Sequence, residues 1–462
     1  MLRIALWALV VLAVVPCHGE EWSRFRGPNG TGLAGDSGYP VEFSKAKNLV
    51  WRTPVRRGKS SPVLTESRVF LTAFDDGKLY TQCFDRATGE MLWERFEPRS
   101  RQEIANLLNE PAANSPVTGG ENVYAFFRDF GLVSYDRAGK VRWKLPLGPF
   151  TNSMGNAASL ILSGNSVILL ADQEEDAYIA SYRTSNGELN WKTKRGSVVG
   201  WSTPLLYQPA GGEPQIVTAT MSQLNAHSAT TGEPAWVHLG TSPAVAPSPV
   251  MLGDTVYSFG YGIETPQPLA PQLAEFDQDR DGRISPAEYG DDAMLAMVGR
   301  YYGAADKYVT QEAWDNFFRI ANKPSALVAV RLDPATMEPH EMWRYERSFV
   351  GVVPSPILIG GILYLVKNGG ILTSFNAETG EVIKAGRVTG AVDPYSASPV
   401  SAEGRIYFAT EAGNVAVVEA GRDWSVATIN ALDEPMYATP ALSQGHIYVR
   451  TDAALYSFGD LQ

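Results

Sequence analysis

Three features of the 462-residue chain predict an all-β, eight-bladed β-propeller carrying a small helical insertion: a recurring inner-strand element, a recurring closing element and one oversized interval between repeats. The inner element is a small residue, a proline and a strand. It stands at Pro62, Pro116, Pro204, Pro249, Pro356, Pro399 and Pro440, and a degenerate copy, NAASLIL, reads with Ser159 in the proline's place. The closing element is a turn followed by an aromatic strand, as in CFDRATGEMLW to Trp93, SYDRAGKVRW to Trp143, SYRTSNGELNW to Trp191 and AHSATTGEPAW to Trp236; SFNAETGEVIK ends instead at Lys384. Between the two lie alternating strands such as NVYAFF, SVILLA and RIYFAT, so each unit reads as four strands.

Physical chemistry explains the elements in turn. A Thr-Gly or Asn-Gly pair makes the tight turn between the third and fourth strands, because glycine reaches positive φ without steric cost. An indole four residues later can bury a large apolar surface between neighbouring sheets. A ring of sheets must close, since an open edge invites association. The last unit supplies three strands before the chain ends. NLVWRTPV, with Trp51 in the closing position, is the expected fourth, so the propeller spans 48–460.

The first 19 residues read as a secretory signal peptide: Arg3, an apolar run from Ile4 to Val15, then small and polar residues. The expectation is an exported protein, periplasmic or extracellular, with a lipid on Cys17 as a minor alternative because Pro16 suits that processing poorly. Beyond the leader only Cys83 remains, so no intramolecular disulfide forms and packing must stabilise the fold. A formal net charge of −11 argues against nucleic acid as partner. No other apolar run approaches the length of a membrane span, and a monomer is expected.

The oversized interval lies in the fifth unit, where 263–323 is read as an insertion between the third and fourth strands. Inside it, DQDRDGRISPAEY matches the twelve-residue calcium loop of an EF-hand. Asp277, Asp279 and Asp281 would give side-chain oxygens, Arg283 its carbonyl, Ser285 a contact through water, and Glu288 two carboxylate oxygens. Gly282 permits the turn and Ile284 is the apolar residue before Ser285. A second, decayed hand follows: Asp306 and Thr310 persist, while Tyr302, Ala304 and Ala313 replace ligands. It is expected to pair with the first loop without binding calcium.

The closing element resembles the tryptophan-docking repeat of pyrroloquinoline quinone (PQQ) dehydrogenases, and equally the repeats of the outer-membrane assembly factor BamB, an eight-bladed relative without a cofactor. WSRFRGPNGTG from Trp22 resembles the opening of PQQ-like propeller proteins of planctomycete-type bacteria. The dehydrogenase resemblance would put PQQ on the propeller axis. Among the residues before each inner strand (Arg57, Lys59, Asn114, Asn152, Trp201, Ser248, Tyr395 and Tyr437), Arg57 and Lys59 could then hold its carboxylates and Trp201 could stack on its ring. Against this, the alcohol dehydrogenases of that family clamp PQQ with a disulfide of adjacent cysteines, which this chain lacks. A haem-attachment motif is also missing. The preferred reading is that these residues fill the channel. None of His18, His227, His238, His340 and His446 sits in a nucleophile or metal motif.

The sequence therefore points to a non-enzymatic binding or scaffold propeller of the cell envelope with an unidentified protein partner and one calcium. A PQQ-dependent alcohol or sugar dehydrogenase is the alternative. The long connection from Phe96 to Pro116, with a helical pattern at Ile104, Leu107 and Leu108, is the candidate partner-contacting loop.

Overall fold

The computed structural model describes residues 21–102, 109–152, 154–262, 267–290, 292–321, 324–347 and 353–460. The leader 1–19, Cys17, and the helical pattern at Ile104, Leu107 and Leu108 lie outside these residues. Eight antiparallel sheets of four strands form the propeller. In blade 1 the strands are Val63–Leu64, Arg68–Asp75, Lys78–Asp85 and Met91–Pro98, hydrogen-bonded in sequence order. Blade 8 joins Ala441–Ser443, His446–Arg450 and Ala454–Phe458 to the N-terminal strand Leu49–Pro54, so the ring closes with strands from both ends of the chain.

Two arginines reinforce that closure. Arg86, in a blade 1 turn, donates to the Tyr448 hydroxyl and the Ser443 carbonyl of blade 8. Arg450 of blade 8 donates to Ser60, Thr72 and Arg56 at the start of blade 1.

The core lies between adjacent sheets, and the tryptophans explain why. Trp51, Trp93, Trp143, Trp191 and Trp343 each donate their indole N–H to a backbone carbonyl of the next blade's turn, at 2.9 to 3.3 Å. Each ring covers the glycine of that turn. A methyl group on Gly187, at φ +76°, would stand 2.8 Å from the Trp143 ring, so the turn demands glycine twice, for its backbone and for the indole above it. Lys384 takes the tryptophan's place in blade 6, where its ammonium bonds Asp423 and the Trp424 carbonyl of blade 7.

Two sequence expectations are corrected. The insertion separates the second and third strands of blade 5, Thr255–Gly260 and Ala326–Leu332, not the third and fourth. The closing turn of this blade carries Met337 in the left-handed region, φ 60°, where its counterparts carry glycine. Its signature was thereby hidden, and Ala326–Leu332 took the look of a last strand. In the degenerate third unit, Ser159 aligns with the residue before proline, and Leu160 stands in the proline's place: Ser159 receives the backbone N–H of Ser115, as its counterparts receive theirs.

The segment Trp22–Ala34 lies across one end of the propeller. The Trp22 carbonyl accepts from Leu64 of blade 1 and the Ser23 carbonyl from Thr118 of blade 2. Asn29 makes two bonds with Leu206 of blade 4, and Gly32 and Ala34 pair with Ser401 of blade 7. Bonds to blades around the whole ring make this segment a plug.

Among the described residues, four short helices occupy the insertion: α1 (Ala270–Phe276), α2 (Pro286–Tyr289), α3 (Ala293–Tyr302) and α4 (Gln311–Ala321). They enclose a separate apolar cluster that includes Ile284, Leu295, Val309, Trp314 and Phe318 and no propeller residue.

Candidate functional site

At the axis, the residue before each inner-strand proline, or before Leu160 in the third blade, carries a hydroxyl: Ser61, Ser115, Ser159, Thr203, Ser248, Ser355, Ser398 and Thr439. Each backbone N–H donates to the hydroxyl oxygen of the next blade at 2.9 to 3.1 Å, and Thr439 returns the chain of bonds to Ser61. A residue before proline is held extended, and buried N–H groups need partners. The ring meets both conditions where eight blades converge. The serines before the prolines are legible in the sequence as part of the repeat; the ring of bonds that joins them is not.

These hydroxyls line a cavity of about 250 Å³ on the axis. Phe25, from the plug, also lines it, and so do Lys59, Trp201, Tyr261 and Tyr437. The Lys59 ammonium lies 5.0 Å from the centre of the Tyr437 ring, and the Trp201 indole N–H is buried with no partner among the described residues.

Of the residues expected at the axis, Lys59, Trp201, Ser248 and Tyr437 line the cavity. Arg57 does not: its side chain is 67% exposed and pairs with Asp452. Asn114 and Asn152 turn their amides to the carbonyls of Ala158 and Asp172, and Tyr395 is buried with its hydroxyl on the Ala391 carbonyl. They are structural because strand-end carbonyls take their donors.

PQQ, a planar tricarboxylate held with a metal ion in the dehydrogenases, fits this lining poorly. Among the described lining residues Lys59 is the one cation, and no carboxylate is present to hold the ion. Cys83 is fully buried in the apolar cluster between blades 1 and 2, with burial pushing its thiol up to about 11, so it offers no clamp.

The acidic loop of the insertion forms a second cluster. One carboxylate oxygen from each of Asp277, Asp279 and Asp281 lies within 4.8 Å of the others. The backbone builds this convergence: Asp277 accepts from the N–H groups of Asp281 and Gly282, and Gly282 turns at φ +82°. Glu288 reaches back over the loop and accepts from the N–H groups of Gln278, Asp279 and Ser285 and from the Ser285 hydroxyl. The Ser285 bonds lead those that pull its carboxyl down to about 2. Ser285 and Glu288 complete a capping box at the start of α2. The Arg283 guanidinium is turned onto Asp281, with Asp306 nearby.

Ile284 pairs through a short antiparallel bridge with Val309, the matching position of the second loop. There Thr310 caps α4 and Ala313 is buried in the insertion core.

Both additions lie at the cavity's open end. Tyr261, at the entry to the insertion, and Asn109, at the end of the long blade 1 to blade 2 connection, line the cavity. Asn109 also donates to the Met154 carbonyl, while Arg99 and Ser100 anchor the connection on Asp129. No helix is long and apolar enough to cross a membrane among the described residues.

The family model described as outer membrane protein assembly factor BamB matches residues 33–205 and 328–459. No curated protein matches the chain. Among solved structures, BamB from Moraxella catarrhalis superposes with a TM-score of 0.56 at 13% identity, covering 89% of this chain and 99% of that one. A europium-containing methanol dehydrogenase gives 0.59 at 10% identity, covering 95% and 98%. The computationally designed Ika8 protein gives 0.56 at 12%, covering 90% and 100%. At such identities these superpositions speak to the propeller fold alone. The family model spans well over half of the chain, on both sides of the insertion, and the chain belongs to that family of outer membrane protein assembly factor BamB propellers.

Proposed function

We propose that this chain is a non-enzymatic binding or scaffold propeller of the cell envelope, exported, holding one calcium ion in its insertion and presenting the open face of the channel to a protein partner. The observation that carries the reading is the asymmetry of the two ends. One is sealed by the plug, and the other bears the cavity mouth, the long connection and the insertion. Loops held by a rigid scaffold are where binding resides. The BamB family match supports an envelope partner, and the mismatch between the axial lining and PQQ weighs against a quinone-dependent enzyme.

Calcium suits the acidic loop because it is a hard cation that accepts several oxygens in a flexible shell. Asp277, Asp279, Asp281 and Glu288 would supply carboxylate oxygens, Arg283 its carbonyl and Ser285 a water-bridged contact. Binding requires Asp281 to leave the Arg283 guanidinium. Calorimetric titration of the full chain with calcium chloride, and separately with PQQ, tests the reading. One calcium per chain and no PQQ uptake are expected; tight PQQ uptake with substrate-dependent reduction of an artificial electron acceptor would overturn it in favour of a dehydrogenase.

A further inference from the structure

The plug carries two buried arginines whose donors are incompletely met. Arg26 is 0% exposed and Arg24 is 6% exposed. Neither has an acidic partner among the described residues, and each leans on backbone carbonyls: Arg24 on Pro204 of blade 4, Arg26 on Pro356 of blade 6 and, at 3.4 Å, on Thr31. The two guanidiniums thus reach to either side of blade 5. Three of their nitrogens, Nε of Arg24 and Nε and Nη1 of Arg26, have no hydrogen-bond partner among the described residues.

Arg450, equally buried, has more of its donors met. Its two terminal nitrogens share four bonds, to the Ser60 carbonyl and hydroxyl and to the carbonyls of Thr72 and Arg56, and among the described residues only its Nε lacks a partner, whereas Arg26 lacks one at both Nε and Nη1. Burial pushes the Arg450 guanidinium down to about 10 and both plug guanidiniums down to about 9; what sets the plug apart is that two positive charges lie close enough to oppose one another, the Arg24 charge adding to the effect on Arg26. Burying an ion without a counter-charge is costly, and a guanidinium edge matches an oxyanion with two parallel N–H donors.

We propose that Arg24 and Arg26 together bind one small oxyanion, a carboxylate, phosphate or sulfate group, at the sealed end of the channel. The anion supplies the missing acceptors and locks the plug across the ring. Occupancy then couples anion concentration to the closure of the channel floor, which Phe25, between the two arginines, provides.

The test uses the full chain, dialysed free of oxyanions, with inorganic phosphate, sulfate and acetate titrated separately at fixed ionic strength against chloride. Calorimetry and phosphorus NMR line broadening should report one phosphate per chain, and sulfate or acetate should compete according to whether the site prefers tetrahedral or planar oxyanions. Arg26→Lys, which keeps the charge and loses the fork, should weaken phosphate at least tenfold. Arg26→Met should melt at or above the wild type without oxyanion and below it in saturating phosphate, because removing an unpaired buried charge is neutral or favourable while removing a paired one is not. If wild type takes up none of the three anions, or if Arg26→Met melts lower by the same margin at every anion concentration, the arginines are satisfied without an anion and the proposal fails.

Discussion

The strongest test of how the blades hold together is a double-mutant cycle on Trp143 and Gly187. The indole is 8% exposed, donates to the Thr184 carbonyl at 3.0 Å, and has its ring centre 5.8 Å from that of Tyr124. Its removal in Trp143→Ala should cost about 3–5 kcal/mol, the usual range for emptying a buried aromatic site. Gly187→Ala faces two separate penalties. The backbone at φ +76° costs an L-residue about 1–2 kcal/mol. The new methyl, 2.8 Å from the ring, adds about 1–3 kcal/mol of overpacking. Only the second penalty depends on the indole. In the double variant it vanishes, so the pair should be about 1–3 kcal/mol less destabilising than the sum of the singles. Denaturant unfolding of the four proteins, followed by tryptophan fluorescence and far-UV circular dichroism, gives the coupling directly. Additivity within about 0.5 kcal/mol would refute the claim that the docking tryptophan selects glycine in the neighbouring turn.

Three further predictions address the calcium loop, the ring closure and the partner face. Asp277→Ala combined with Glu288→Ala should abolish calcium uptake in calorimetry while the propeller's melting transition stays in place, since the insertion's apolar cluster contains no propeller residue; collapse of the main transition would mean that the insertion is integral to the ring. Glu434 ties the N-terminal segment to blade 8: burial raises its pKa, but hydrogen bonds from Thr451, Tyr456 and Lys45 outweigh that and hold it at about 2. A carboxyl depressed on folding contributes stability that is complete above its ordinary value near 4.5 and drains away as pH falls toward 2. Melting midpoints between pH 2 and 6 should therefore fall more steeply for the wild type than for Glu434→Gln, and parallel curves would remove Glu434 from the acid response. Finally, deleting 99–109 should leave the fold intact by circular dichroism while weakening retention of an envelope partner, once one is purified; equal retention would place the contact elsewhere on the face.

Period, composition and motif chemistry make the architecture legible in the sequence. Seven Pro-strand elements and the turns ending at Trp93, Trp143, Trp191 and Trp236 are local signals, each readable within a dozen residues, and their regular recurrence specifies four-stranded blades in a ring. Strand closure at Trp51 was legible too, because a three-strand last unit leaves one edge unpaired. Even the spacing of Asp277, Asp279, Asp281 and Glu288 is a local property of one loop. What the sequence could not decide is set by contacts between residues far apart in the chain. The strand pair that the insertion separates is not legible, because Met337 occupies a left-handed position that glycine normally announces. Arg57 carries the charge expected of an axial ligand, yet the backbone turns it outward to Asp452. The hydroxyl ring, the plug and the exposed or buried fate of each arginine depend on eight blades meeting at one axis, and only the folded ring brings Ser61 to Thr439, 378 residues away, or Arg24 to Pro204, 180 residues away.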